Sequence, residues 1–283
     1  MNNEDLINKF IEYLKRKGRS ESTLIAYKAD IIQLSHSSTK NLINSGETEI
    51  NSFLKRLKEN TGLTPKTISR KLNSIKTFYK FLELKNLVNS NPTKELHHPK
   101  FINAKPKFLN KDQYQRLKDS AKASPKNFMM LELMLQTGMR ISEVSNLKIK
   151  DVDLNRAHPR VEIRDNKIVT RQIPLNDKIF FELKDYISSI GKSDYVFTTK
   201  NNKPIEVRNI RAALDRVFLK VKLQQYCVND LRNTFIVTQL SNGMKMSALA
   251  KIVGHKSPTA TERYVDILSR KYKDRGIESL CEL

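Results

Sequence analysis

The stretch Asn229-Asp230-Leu231-Arg232-Asn233-Thr234-Phe235 decides how this chain is read, together with Gly254-His255 and Tyr264 behind it and Thr137-Gly138-Met139-Arg140-Ile141-Ser142-Glu143 ahead of it. Asn229 opens a helical pattern that continues through Ile236, Val237 and Leu240, and its side chain suits an N-cap. Arg232 falls in that helix's first turn, where the helix dipole disfavours a cation unless an anion is bound beside it. Upstream, Gly138 reads as a helix C-cap, and Arg140 opens the next helix near free backbone N–H groups. Glu143 lies three residues on, on the face where it can orient the guanidinium. Downstream, Leu249 to Val253 is a helix closed by Gly254, which sets His255 just past its end. Ser257 and Pro258 then start a final helix as N-cap and N1, with Tyr264 about two turns in. Singly, these residues read as a surface ion pair, a capping histidine and a core tyrosine. Together they form a set suited to holding a phosphodiester and attacking it without a metal.

Charge points to the same class of partner. Lys and Arg total 52 against 30 Asp and Glu, a net +22 with pI near 9.9. Residues 1–100 carry 18 basic and 10 acidic side chains, and the rest carry 34 and 20, so the excess is not confined to a tail. A basic surface on both halves suggests a polyanion held between them, nucleic acid first among the candidates. The polar, acidic N-terminus Met1-Asn2-Asn3-Glu4-Asp5 holds no apolar signal core, and no run of about 18 apolar residues exists to span a membrane. Cys227 and Cys281 lack metal-ligand spacing. The chain reads as cytoplasmic, with no metal and no cofactor.

Around the deciding stretch, the periodicity is mainly α. Four helices are expected in the first hundred residues, marked by Leu6, Phe10, Ile11 and Leu14, by Leu24, Tyr27, Ile31 and Leu34, and by Ile50, Phe53, Leu54 and Leu57. The fourth starts at Thr64-Pro65 and carries the stripe Ile68, Leu72, Ile75, Tyr79 and Leu82. Its other faces carry Lys66, Arg70, Lys71, Lys76 and Lys80, either a solvated basic face or a helix laid along DNA phosphates. Residues 91–108 read as a basic, proline-broken linker that includes His97, His98, Lys105 and Lys107. From 109 the pattern is helical again. Over 151–173 it switches to a small antiparallel sheet with a hairpin around Asp165-Asn166-Lys167, and Tyr195 to Thr199 is a further β-prone run.

In order and spacing, Gly-Met-Arg-Ile-Ser-Glu, then Leu-Arg-Asn-Thr-Phe, then Gly-His with a tyrosine nine residues later, closely resembles the tyrosine recombinase (phage-integrase) family. The likeness spans about residues 3 to 270, and the short layout is similar to Xer-like and transposon resolvase-like members. It implies an N-terminal four-helix core-binding (SAM-like) domain over 1–90 and a catalytic domain over 109–283, clamped around duplex DNA. It also implies transesterification through a 3′-phosphotyrosyl link, with Tyr264 as nucleophile, Arg140 and Arg232 on the scissile phosphate, His255 beside both, and Glu143 behind Arg140. The family's general-acid lysine lies on the β-hairpin, where this chain offers Lys167 at the tip with Arg164 and Arg171 on its flanks. Lys66, Arg70, Lys71, Lys76, Lys80, Lys105 and Lys107 are then the expected DNA contacts.

Asn229 departs from the pattern, since the family places histidine there. Asparagine donates a hydrogen bond but neither carries charge nor moves a proton near pH 7. Residues 277–280 resemble a short terminal helix, and in the family such a tail docks on a neighbouring protomer within a homotetramer. The expected activity is site-specific recombination through a Holliday junction, resolving transposon cointegrates or replicon dimers, or integrating a mobile element. A DNA-binding relative that has lost cleavage and a type IB topoisomerase-like relaxase are the competing readings. The sequence names no accessory protein.

Overall fold

The computed structural model describes residues 1–38, 40–60, 62–165 and 168–273. Lys167 and the tail at 277–280 therefore lie outside the described residues. Two compact units divide at 103/104.

In the first unit, α1 (Asn3–Arg16), α2 (Glu21–Ser37), α3 (Glu47–Asn60) and α4 (Pro65–Leu84) pack about a shared apolar core. Their starts follow local chemistry: the side chains of Asn2, Ser20 and Thr64 each accept a backbone N–H of the first turn, and Pro65 occupies N1 of α4. Phe10 meets Phe78 edge-on at 5.2 Å, and the buried Tyr79 hydroxyl donates to Leu42 O at 2.9 Å. Residues read as the start of the linker belong to this unit, because Thr93 and Leu96 are buried and Leu96 joins its core.

In the second unit the central element is α6 (Pro125–Thr137), buried on nearly every side and packed against α5 (Lys111–Ala121), α8 (Asp177–Ser189), α9 (Val207–Lys220) and α10 (Val228–Ser241). Its one acid, Glu132, is fully buried and accepts from the Tyr114 hydroxyl at 3.0 Å and from Lys178 at 2.9 Å. Burying a carboxyl without such hydrogen-bond partners would be costly. Short α7 (Ile141–Ser145) follows α6, and α11 (Met246–Val253) and α12 (Thr259–Lys273) close the described chain. The sheet is antiparallel in the order β1 (Val152–Asp153), β2 (Arg160–Asp165), β3 (Ile168–Pro174), with Val161 opposite Ile173 and Ile163 opposite Arg171.

Two local expectations are corrected. Tyr195 to Thr199 is no sheet strand: it makes isolated bridges, Lys148 to Tyr195 and Thr198 to Pro204, because Val196 and Phe197 turn inward to the core. Asn229 is not the N-cap of α10. Cys227 caps it through its backbone N–H, which donates to Asp230 at 2.9 Å, leaving Asn229 exposed in the first turn.

Candidate active site

The site is built on three consecutive carbonyls. A helix ends with backbone C=O groups that have no partner within the helix and carry its negative pole. At the end of α11, Ile252 O accepts from Arg171 Nε at 2.7 Å, Val253 O from Arg232 Nη2 at 2.6 Å, and Gly254 O from Arg140 Nη2 at 2.8 Å. Guanidiniums from β3, α10 and the N-cap of α7 thus converge on adjacent peptide units immediately before His255.

Glycine makes the convergence possible. Gly254 has φ +68°, and a Cβ there would lie 3.1 Å from Arg171 Nη1. Gly138, the C-cap of α6, has φ +65° and offers its own carbonyl to Arg232 Nη1 at 2.5 Å. A Cβ at 138 would meet Phe235 at 2.4 Å, so α6 and α10 approach this closely only through glycine.

Glu143 organises two of the three cations. It accepts Arg140 Nη1 at 2.9 Å and the Arg140 backbone N–H at 2.8 Å, and Arg171 forks onto it at 2.9 and 2.6 Å. Burial alone pushes its carboxyl upward, and the Arg171 and Arg140 partners outweigh that and hold it below the usual carboxylate range. Arg232 has no carboxylate within this set. It is 5% exposed, and burial first, then the charge of Arg140, pull its guanidinium down to about 10. It stays protonated at neutral pH, a desolvated cation whose charge is satisfied by two carbonyls.

His255 is half-buried, with Nδ1 2.8 Å from Thr261 Oγ1 and its ring stacked on Tyr264 at 6.3 Å. Burial, followed by Arg232, Arg140, Arg263 and Arg171, pulls the imidazole down to about 4, so it is neutral at pH 7. Tyr264 is 1% exposed; its hydroxyl donates to Asn233 Oδ1 at 2.7 Å and accepts from Arg263 Nη2 at 2.9 Å. Asn233 is held in turn, donating to Asp230 at 2.9 Å.

A cavity of ≈ 1130 Å³ opens beside this cluster, lined by Arg140, Arg164, Lys251, His255 and Lys256 among others. Its rim is strongly basic and its size suits an extended anionic chain. Among the described residues, no three His, Cys, Asp or Glu side chains converge as a metal site requires.

The sequence-derived candidates therefore separate into groups. Arg140, Arg232, His255, Tyr264 and Glu143 come together. Arg164, on the hairpin flank, pairs with Asp151 at 2.7 Å and with Glu162. Lys107 donates to Gln225 O at 3.0 Å, while Lys105 is exposed. On α4, Arg70 forks onto the buried Asp30 at 2.6 and 2.9 Å, and Lys71, 13% exposed in its side chain, joins the same carboxylate at 2.8 Å. Lys66 and Lys80 are exposed and Lys76 is half-buried. Asn233, Arg263 and Thr261 were missed. The i,i+3 spacing of Asp230 and Asn233 is the one signal that marks any of them.

Residues 107–270 match the phage integrase family and residues 6–87 match its N-terminal SAM-like domain; the chain belongs to this family, the tyrosine recombinases. A tyrosine recombinase of Pseudothermotoga lettingae is 27% identical over 280 residues, covering 96% of each chain. Tyrosine recombinase XerD of Oceanobacillus iheyensis is 27% identical over 289 residues, again 96% of each. Among solved structures, a Tn1549 transposon integrase in complex with a circular intermediate DNA has TM-score 0.75 at 20% identity, over 98% of this chain and 100% of that one. A lambda integrase tetramer bound to a Holliday junction has TM-score 0.70 at 16% identity, over 92% of this chain and 79% of that one. At these identities the two structures speak to the fold.

Proposed function

We propose that this chain recombines specific DNA sites through a covalent bond to Tyr264. The observation that carries the reading is the pair of consecutive carbonyls, Val253 O and Gly254 O, on which Arg232 and Arg140 meet beside His255 and Tyr264. Cations fixed in a partly dry site stabilise charge that develops on a phosphate without reorganising when it appears. In the reaction, the Tyr264 oxygen bonds to phosphorus as the bond from phosphorus to the 5′ oxygen breaks. The phenol proton leaves, and the 5′ oxygen gains one from the hairpin lysine, Lys167. The negative phosphate offsets the guanidiniums around His255, so the imidazole gains basicity as substrate enters and stands ready for the phenol proton. The phosphotyrosyl ester stores the bond energy for rejoining.

Cleavage also requires the Tyr264 hydroxyl to exchange its bond to Asn233 for one with phosphate. Lys66 and Lys80 on α4, with Lys105 and the half-exposed Arg70, supply phosphate contacts along the duplex. The neighbours bound to circular-intermediate DNA and to a Holliday junction, the latter as a tetramer, support strand exchange between paired duplexes in a tetramer, and the family resemblance is the ground for coupling its protomers through the C-terminal tail. The relatives named tyrosine recombinases support the recombinase class; resolution of transposon cointegrates or replicon dimers, and integration of a mobile element, are the roles proposed within it. Acting on DNA, the protein works in the compartment that holds the chromosome.

The test uses a nicked suicide substrate carrying the DNA site selected by the protein from a random library. Wild type is expected to form a covalent protein–DNA adduct and Tyr264→Phe to bind the site without forming one. An adduct with Tyr264→Phe removes the nucleophile assignment. Asn229, exposed beside Arg232's helix start, is expected to donate a hydrogen bond to the DNA. Asn229→Ala should then cleave on the order of 10-fold slower, and Asn229→His at least as fast as wild type. Equal cleavage by all three proteins would deny Asn229 any such contact.

A further inference from the structure

Arg171 has no assigned role in the reading above, and its surroundings are unusual for a strand residue beside a DNA-cutting site. Its side chain is 9% exposed and every nitrogen of its guanidinium is engaged: Nε with Ile252 O, and both terminal nitrogens with Glu143. Three of its five N–H donors are thus spent, and at this exposure the guanidinium is largely withdrawn from a phosphate in solvent. It does hold the two groups that fix Arg140: the carboxylate that accepts Arg140 Nη1, and the helix end whose next carbonyls bind Arg232 and Arg140.

We infer that Arg171 is a positioning residue for the phosphodiester reaction, acting through Glu143 and the α11 carbonyls to aim Arg140 at the scissile phosphate. The inference rests on the recombinase reading and deepens it. Arg140 donates Nη1 to Glu143 and Nη2 to Gly254 O. Without Arg171, Glu143 has Arg140 as its one guanidinium partner and is free to draw both terminal nitrogens onto itself, away from Gly254 O and the phosphate. Arg171, forked across both carboxylate oxygens, holds Glu143 to a single bond from the Arg140 side chain, which stays 42% exposed at the cavity. The geometry also ties the β2–β3 hairpin to the guanidinium cluster. Arg171 lies on β3, on the same inward face as the buried Ile173, so any movement of the hairpin is felt at Glu143.

The experiment compares two suicide substrates with the full chain. One carries the native scissile phosphate, the other an uncharged methylphosphonate that needs no guanidinium to neutralise the missing oxygen. On native phosphate, Arg171→Ala is expected to slow adduct formation on the order of 10- to 100-fold, as loss of a group that orients a site residue does, while site affinity changes little. The methylphosphonate-to-phosphate rate ratio should rise in Arg171→Ala and in Arg140→Ala alike. The double variant should be no slower than Arg140→Ala alone, because both changes remove one function. Losses that multiply in the double variant, or an unchanged rate ratio in Arg171→Ala, overturn the inference. Should Arg171→Ala fail to fold by circular dichroism, Arg171→Lys carries the same comparison, since one ammonium cannot fork onto Glu143 and reach Ile252 O together. Tyr264→Phe is run alongside. An adduct there sinks the recombinase reading itself, whereas a normal Tyr264→Phe result with an additive Arg171 sinks only this inference.

Discussion

Basic side chains in the two units have different fates. On α4, Lys66 and Lys80 stand in solvent, and Arg70 and Lys71 gather on a single buried carboxylate, Asp30, that also accepts Ser74 Oγ at 2.7 Å. Around α11, three arginines are bound to carbonyls of one helix end and two share Glu143. Surface lysines act by charge alone, weakly and subject to salt. Anchored guanidiniums are oriented in advance and partly desolvated, so they discriminate a transition state from a ground state. On the proposed function, binding and chemistry are divided between these two kinds of cation, and each kind should fail in its own way.

The largest effect is expected at Arg232. Arg232→Lys keeps the charge but cannot reach Gly138 O and Val253 O with one fork. Adduct formation should fall on the order of 10²- to 10³-fold, read in single-turnover assays with saturating enzyme, while DNA affinity stays nearly constant. A loss confined to affinity would make Arg232 no different from a lysine of α4 and break the comparison.

Next is Asp30, the acid that organises the basic face of α4. Burial alone pushes its carboxyl up, and Arg70, Lys71 and Ser74 together bring it below the ordinary carboxylate range. Asp30→Asn leaves Lys71 largely buried without its counter-ion. The cost should be about 2–3 kcal/mol in urea melts at pH 7, less than for a fully buried pair because Arg70 is half-exposed. Because the folded carboxyl titrates lower than the unfolded one, its contribution is complete above the ordinary carboxylate pKa. It is lost as pH falls through the lowered folded value. The gap between wild type and Asp30→Asn should therefore narrow in acid; a gap independent of pH would mean that the ion pair contributes nothing.

The smallest effect belongs to the exposed lysines. Lys80→Ala should weaken binding uniformly across DNA sequences and reduce the slope of log K against log salt by about 1. An unchanged slope would remove Lys80 from the DNA face.

Much of the fold was legible because local rules and tertiary packing agree in it. The Thr64-Pro65 start of α4 and the apolar stripes of the first unit needed no distant partner, and neither did the helix ends at Gly138 and Gly254. Misreadings arose where a distant group intervened. Tyr195 to Thr199 has strand chemistry, but its inward residues belong to the core of the second unit. Asn229 is a good N-cap in isolation, yet Asp230 reaches back to the Cys227 N–H and moves the helix start two residues earlier. Arg171 read as a hairpin-flank cation, because its partners Glu143 and Ile252 lie 28 and 81 residues away.

The sequence by itself determined that two arginines and a histidine would lie near helix ends, with a tyrosine inside the final helix, since caps, glycines and periodicity are local properties of a chain. Only the tertiary structure decided that three arginines meet on the consecutive carbonyls of 252 to 254, and that Asn233 holds the Tyr264 hydroxyl. A free helix end states that partners are needed but not which ones, and that choice depends on how α6, α7, α10, α11 and β3 pack.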